Sequence, residues 1–134
     1  MLEALSGLLG LVRELLPFLR QEAPAVIECD ANLRDDGLVH LRVGVRALPN
    51  RPRVRFVAVE LRRPAVAMTR VDPTRPSQTG RRIVVDRLVE HEVECLATFA
   101  PPRRWWWRRI KLVVELRDQG RTKRLPYYPE PVGT

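Results

Sequence analysis

Most of this 134-residue chain is predicted to fold as an all-β, antiparallel β-sandwich. From Pro24 onward, apolar and polar residues alternate with a period of two, which is typical of strands with one buried face. Clusters rich in Gly, Pro, Asp and Asn interrupt this alternation at short intervals. Helical periodicity is lacking in that region, so two packed antiparallel sheets are the simplest architecture.

The first predicted hairpin spans residues 27–45. Its inward positions are Ile27, Cys29, Ala31 and Leu33 on one strand and Val39, Leu41, Val43 and Val45 on the other. The sequence RDDG supplies the turn, and LPNRP ends the second strand because prolines cannot donate to a ladder. In the next strand, residues 53–62, the apolar parity changes after Phe56. That strand is therefore covered on both sides or bulged near Val57.

The remaining strands are expected in PAVAMT, RRIVVDRL and HEVECLATFA, and in a last hairpin over residues 108–128 that turns at DQGR. In that hairpin the inward residues are Ile110, Leu112, Val114 and Leu116. Seven or eight short strands at this spacing predict an immunoglobulin-like sandwich, with a small barrel or jelly roll as the alternative. We expect the sandwich to span residues 23–128, and residues 129–134 to be an extended tail rather than a strand.

Residues 1–22 are predicted to form one amphipathic helix preceding the sandwich. Its apolar face includes the candidate partner-binding residues Leu5, Leu9, Val12, Leu16 and Leu19. The charged pair at positions 13 and 14 argues against a membrane-spanning helix, and the nearly neutral polar face weakens a lipid-surface role. We expect a partner chain or the domain itself to cover this face, with a membrane surface as the alternative.

The net charge of +8 is unevenly distributed along the chain. Residues 1–45 carry four Arg against seven Asp or Glu, whereas residues 46–134 carry 20 basic against nine acidic residues. The strongly cationic second part favours an anionic partner such as nucleic acid, anionic lipid or an acidic protein face. Arg accounts for 22 of the 24 basic residues, and Arg binds carboxylates and phosphates with a two-pronged fork.

Cys29 and Cys95 fall on apolar strand faces and are expected to be core thiols, with a disulfide between the sheets as the alternative. Their separation of 66 residues is similar to that of the cysteine pair in immunoglobulin domains. The accompanying Trp and Tyr of that family are missing, so the resemblance extends to the architecture and not to the family. His40 and His91 complete no metal-ligand spacing, and we expect neither a metal nor a cofactor.

Neither a secretory leader nor catalytic machinery is expected. Glu3 stands where a signal peptide carries cations, so a cytoplasmic location or one within a particle or complex is expected. Ser6 and Ser77 lack a nucleophile motif, and no phosphate-binding glycine loop occurs. Glu90, His91 and Glu92 are adjacent, but neighbouring strand residues point to opposite faces, which favours a solvated polar edge over an acid/base pair. The sequence therefore predicts a protein that is not an enzyme and has no small-molecule substrate.

The stretch PPRRWWWRRIKL, residues 101–112, is the sharpest local signal. If the strand that holds Ile110 continues backwards in register, Trp106 faces the core, whereas Trp105 and Trp107 share the outer face with Arg109. The cations Arg103, Arg104 and Arg108 surround these rings. Trp and Arg are enriched at protein-binding hot spots, and we expect this patch to dock a partner. Stacking on single-stranded nucleic acid, insertion into lipid headgroups and a purely structural cover for the sandwich are the alternatives.

Together these features predict a structural or adaptor subunit that docks into a larger protein assembly through its N-terminal helix and its Trp/Arg patch. A component of a viral particle is favoured slightly over a secretion apparatus or a cellular complex. A nucleic-acid-binding module that uses the basic part of the chain is one alternative, and a peripheral membrane protein anchored by residues 1–22 is another.

Overall fold

The computed structural model describes residues 23–50, 53–102 and 109–133, which form ten strands. These are β1 (Ala25–Leu33), β2 (Val39–Ala47), β3 (Val54–Arg63), β4 (Met68–Arg70), β5 (Thr79–Gly80), β6 (Arg82–Leu88), β7 (Glu92–Phe99), β8 (Lys111–Asp118), β9 (Arg121–Tyr127) and β10 (Pro131–Gly133). The predicted helix over residues 1–22 lies outside the described residues.

Two sheets pack face to face, so the predicted all-β, two-sheet architecture is confirmed. One sheet has six strands in the order β10-β1-β2-β7-β4-β5, and the other has four in the order β6-β3-β8-β9. The predicted β1–β2 hairpin is present, with Cys29 opposite Val43 and Leu33 opposite Val39. The chain crosses between the sheets after β2, so the two halves of the sandwich are assembled from interleaved segments.

The core lies between the sheets and consists of one cluster of buried apolar side chains. The predicted inward residues of β2 and of β8 all belong to it. Within the part of the chain that the structure describes, no polar or charged side chain is buried, so the interior gains its stability from apolar burial.

The parity change in β3 comes from a bulge, the second of the two predicted explanations. Phe56 pairs with Leu116 of β8, whereas Ala58 pairs with the preceding residue, Glu115. The extra residue, Val57, lets both Phe56 and Val59 face the core on either side of the bulge, and both are at most 2% exposed.

The C-terminal segment differs from the expectation of an extended tail that is not a strand. Pro131–Gly133 form β10, which runs parallel to β1 with Ala31 opposite Pro131 and Leu33 opposite Gly133. The prediction was wrong because proline lacks only the donor N–H, and an edge strand tolerates that loss on its open side. By pairing here, β10 covers backbone groups of β1 that would otherwise form an open sheet edge.

The two cysteines cannot form the disulfide that was left open as an alternative. Cys29 and Cys95 flank Val43 in the same sheet, one strand away on each side. Neighbouring strands are about 4.8 Å apart, so the two Cα atoms are separated by roughly 10 Å, beyond the span of a disulfide. Both thiols are free, as expected for core cysteines.

Candidate functional site

Most of the predicted site residues lie outside the described residues. This holds for the helix positions Leu5, Leu9, Val12, Leu16 and Leu19, and for Arg103, Arg104, Trp105, Trp107 and Arg108. The structure does describe both flanks of the Trp/Arg segment (residues 103–109), because Pro102 precedes it and Arg109 is its last residue.

Arg109 anchors the segment at one end of the sandwich, where β1 and β7 end and β8 begins. We call this the tryptophan end. The Arg109 Nε donates a hydrogen bond of 3.0 Å to Glu130 Oε1, and both side chains are exposed. Two residues further on, the Lys111 ammonium lies 5.9 Å from the centre of the Tyr128 ring. Both cations thus contact the chain just before β10, which links the Trp/Arg segment to the edge of the six-stranded sheet.

A shallow trough of about 530 Å³ lies on the outer face of the six-stranded sheet, beside this anchor. It is lined by residues 29–32, 40–42 and 96–98 and by Arg34, Val71, Pro129, Glu130 and Val132. Glu130 therefore contributes both to the trough and to the contact with Arg109. Leu96, Val71 and Val132 are 39%, 48% and 63% exposed, which is a high exposure for apolar side chains that share one concave surface.

The polar side of the trough is organised by Arg42, in the middle of the sheet. Its Nε donates to Glu94 Oε1 at 2.9 Å, and its Nη1 donates to Asp30 Oδ2 at 3.1 Å. Its Nη2 lies 3.3 Å from Glu92 Oε1, and its Nη1 lies 3.8 Å from Glu28 Oε2. The hydrogen bond to Glu94, followed by the one to Asp30, raises the pKa of the Arg42 guanidinium.

Gly44 makes this arrangement of Arg42 possible. A Cβ atom at position 44 would lie 3.3 Å from Arg42 Nη2 and 3.3 Å from Glu92 Oε1, closer than ordinary contacts. The missing side chain thus lets the guanidinium lie across β2 and reach carboxylates on β1 and β7 together. The four carboxylates that surround Arg42 give this face an acidic character, in contrast with the net charge of the whole chain.

His40 lies in the part of the trough nearest the β1–β2 turn. Its Nε2 lies 2.8 Å from Asp36 Oδ2, in the turn of the first hairpin. The pKa of Asp36 is lowered, first by the hydrogen bond from the Leu38 backbone amide and then by the hydrogen bond with His40. This pair ties the rim of the trough to a tight turn and so helps to hold its shape.

The fold separates the acidic residues that were considered from the sequence for acid/base chemistry. Glu90 and His91 are exposed in the connection before β7, whereas Glu92 and Glu94 bind Arg42. Among residues 23–50, 53–102 and 109–133, no group of three His, Cys, Asp or Glu side chains could hold a metal ion. Within the same ranges no helix is long and apolar enough to cross a membrane.

Sequence reasoning missed the trough and the Arg42 cluster. The alternation of residues placed Asp30, Arg42 and Glu94 on outer faces and joined β1 to β2 in a hairpin, but nothing in the pattern placed β7 on the other side of β2. The small residue at position 44 between two arginines was the available signal, because a glycine inside a strand often marks a close approach of other atoms.

Comparisons with known proteins give no further guide to this site, because no family model, curated protein or solved structure matches the chain.

Proposed function

We propose that this chain is a non-enzymatic adaptor subunit that docks into a larger protein assembly through residues 1–22 and the Trp/Arg segment. The observation that carries the proposal is the position of Arg109. Arg109, the last residue of the Trp/Arg segment, binds Glu130 in the wall of a partly apolar trough, so the described end of the segment adjoins a surface suited to a protein partner.

The amount of apolar sequence outside the described core supports the same proposal. The strands supply one continuous apolar cluster from their own side chains. The sequence also contains many apolar residues at positions 1–22 and three tryptophans at positions 105–107, outside the described residues, and we propose that a partner covers them. Apolar surface beyond what a domain core uses is typical of chains that bury it against a partner.

We further propose that the sandwich is immunoglobulin-like. If β1, β2, β3, β4, β7, β8 and β9 are taken in chain order as strands A to G, the two sheets contain the orders A-B-E-D and C-F-G. The strand β6 is then an addition beside strand C. Domains of this architecture commonly serve as binding modules, with their loops at the two ends, which fits a docking segment between β7 and β8.

The test uses the tagged full-length chain in its native cells, with quantitative co-purification and cross-linking mass spectrometry. We expect stoichiometric partner chains that cross-link to residues 1–22 or 103–109. The double variant Trp105→Ala/Trp107→Ala should reduce their recovery at least about tenfold, because removing hot-spot residues costs about 2 kcal/mol or more each. The control is Leu88→Ala, an exposed apolar residue at the opposite end of the sandwich.

The proposal would be contradicted if both variants recovered the same amount of partner chains. A chain that purifies as a monodisperse monomer without cross-linked partners would contradict it as well. Co-sedimentation of the purified chain with liposomes, abolished by deleting residues 1–22, would instead support the peripheral membrane alternative.

A second candidate, nucleic-acid binding, is favoured by the outer face of the four-stranded sheet. That face carries the cations Arg55, Arg62, Arg82, Lys111, Arg117 and Arg124 against the carboxylates of Glu60 and Glu115. Titration with oligonucleotides at two salt concentrations tests it, because contacts with phosphates weaken steeply as salt rises. Absence of micromolar binding at low salt would contradict it.

A further inference from the structure

Two arginines face each other directly on the four-stranded sheet. Arg55 of β3 and Arg117 of β8 are paired Cα partners at the end of the sandwich opposite the tryptophan end. We call this the arginine end. Residues in such positions have Cβ atoms about 5 Å apart, and like charges at that spacing repel each other. The arrangement costs folding free energy unless an anion offsets it.

The other arginines of the same face are matched by carboxylates. Arg82 Nη2 lies 2.9 Å from Glu115 Oε2, and Arg124 Nη2 lies 2.6 Å from Glu60 Oε2. The contact of Arg62 with Glu60 follows the same rule. Each of these three arginines therefore has a carboxylate partner.

At the arginine end the cations exceed the anions. Arg55 binds Asp86 Oδ1 at 3.1 Å through Nη1 alone, so its Nε and Nη2 form no ion pair with a described carboxylate. Among the residues that the structure describes, no carboxylate forms an ion pair with Arg53 or Arg117. Asp118 is the nearest acidic neighbour in sequence, and it has an interaction of its own.

A surface cavity of about 530 Å³ opens between these side chains. Its lining includes Asn50, Arg53, Arg55, Leu88, Arg117 and Asp118, so three guanidinium groups meet one carboxylate there. The volume is within the range of small-ligand sites, which is about 300–1,000 Å³. Leu88 is 44% exposed and forms an apolar wall on the same side.

We propose that this cavity binds a phosphate group through Arg53, Arg55 and Arg117. Guanidinium groups stay charged at every physiological pH and bind phosphate oxygens in pairs, which suits a tetrahedral oxyanion held between two strands. The Asn50 side-chain amide offers a further donor. The wall formed by Leu88 suits the organic part of a phosphate ester. The site does not depend on the docking proposal, which concerns the other end of the sandwich.

The test titrates the full-length chain with tripolyphosphate at about 50 mM salt, followed by amide chemical shifts and by calorimetry. We expect shifts to concentrate at residues 53–55 and 117–120. Arg55→Gln and Arg117→Gln should each weaken binding about tenfold, because each variant removes a charge-assisted hydrogen bond to the anion. Arg117→Lys should fall between these variants and the parent chain, because it keeps the charge and loses the fork.

Arg82→Gln is the matched control, since it removes one arginine of the same face that already has a carboxylate partner. It should change the affinity less than about twofold, and circular dichroism confirms that each variant is folded. The proposal would be overturned if tripolyphosphate changed no amide chemical shifts at low salt. Equal losses of affinity in Arg82→Gln and Arg117→Gln would also overturn it, since binding would then reflect net charge alone.

A parallel titration with a single-stranded dodecanucleotide distinguishes the source of the phosphate. Tripolyphosphate binding without oligonucleotide binding supports a site for a free phosphate or a phosphate ester. Binding of both, with the same dependence on Arg55 and Arg117, supports a phosphodiester backbone. Failure of the nucleic-acid candidate is therefore distinguishable from failure of the site.

Discussion

Burial controls the ionisation of three side chains on and near β1. Desolvation, with a smaller contribution from nearby Asp30, raises the pKa of the Cys29 thiol to about 12. Desolvation likewise raises the pKa of Cys95 to about 11. The pKa of Tyr127 is raised to about 12, first by its half-buried position and then by the proximity of Cys29. All three groups are therefore held in their neutral forms by the fold.

This burial predicts a loss of stability at alkaline pH. Tyr127 ionises near pH 10 in the unfolded chain and near pH 12 in the folded one, so the free energy of unfolding falls as pH rises through that window. We expect Tyr127→Phe to flatten the fall between pH 10 and 12 in urea unfolding measured under reducing conditions. Tyr128→Phe changes an exposed ring and is the control, and equal slopes for both variants would contradict the assignment.

At the scale of single elements, the turns of the two long hairpins depend on left-handed backbone. Gln119 and Gly120 have φ angles of 53° and 76°, as a two-residue turn between twisted strands requires. Gly37 has a φ of 77° in the turn between β1 and β2. Glycine adopts such angles without the clash that a Cβ introduces.

We expect Gly120→Ala to lower the free energy of unfolding by about 1–2 kcal/mol, measured by urea denaturation. A Cβ at position 120 would meet no atom within 4 Å, so the whole loss would come from the backbone. Gly133→Ala is the matched control, because that site is equally open and has no positive φ. Losses of similar size in both variants would show that the turn is not the cause.

The edge of β6 is covered by contacts that the sequence pattern does not predict. The sequence predicted β6 as a strand, yet its outer edge is occupied by side chains from β4 and from the loop between β4 and β5. The Val84 N–H donates to Gln78 Oε1 at 2.6 Å, and the Val84 carbonyl accepts from Arg70 Nη1 at 3.1 Å. These contacts satisfy backbone groups that would otherwise invite pairing with another chain. No periodicity in the sequence predicts them, since they join side chains of β4 and of the following loop to the backbone of β6.

At the scale of the whole molecule, the shared core predicts that both sheets unfold together. Leu112 of β8 is fully buried in the cluster that also contains Val43 of β2. Leu112→Ala should cost about 2–5 kcal/mol by leaving a cavity. Hydrogen exchange should then accelerate by the same factor at β2 and β8. Faster exchange confined to the four-stranded sheet would contradict a single cooperative unit.

The two ends of the sandwich give the molecule two separate surfaces. The tryptophan end joins Arg109 and Glu130 to the trough, and the arginine end gathers Arg53, Arg55 and Arg117 around a cavity. Docking to a protein and binding of phosphate can thus be tested independently.

The sequence by itself determined most strand positions, the buried faces, the two hairpins and the change of parity near Val57, because alternation and turn chemistry are local properties of the chain. Only the tertiary structure decided which strands lie side by side beyond those two hairpins. It therefore decided that Arg42 meets four carboxylates, that Arg55 faces Arg117, that two cysteines stand one strand too far apart to bond, and that residues 131–133 close the edge of β1. Those facts depend on strand order and register, which are settled by packing between residues far apart in the chain.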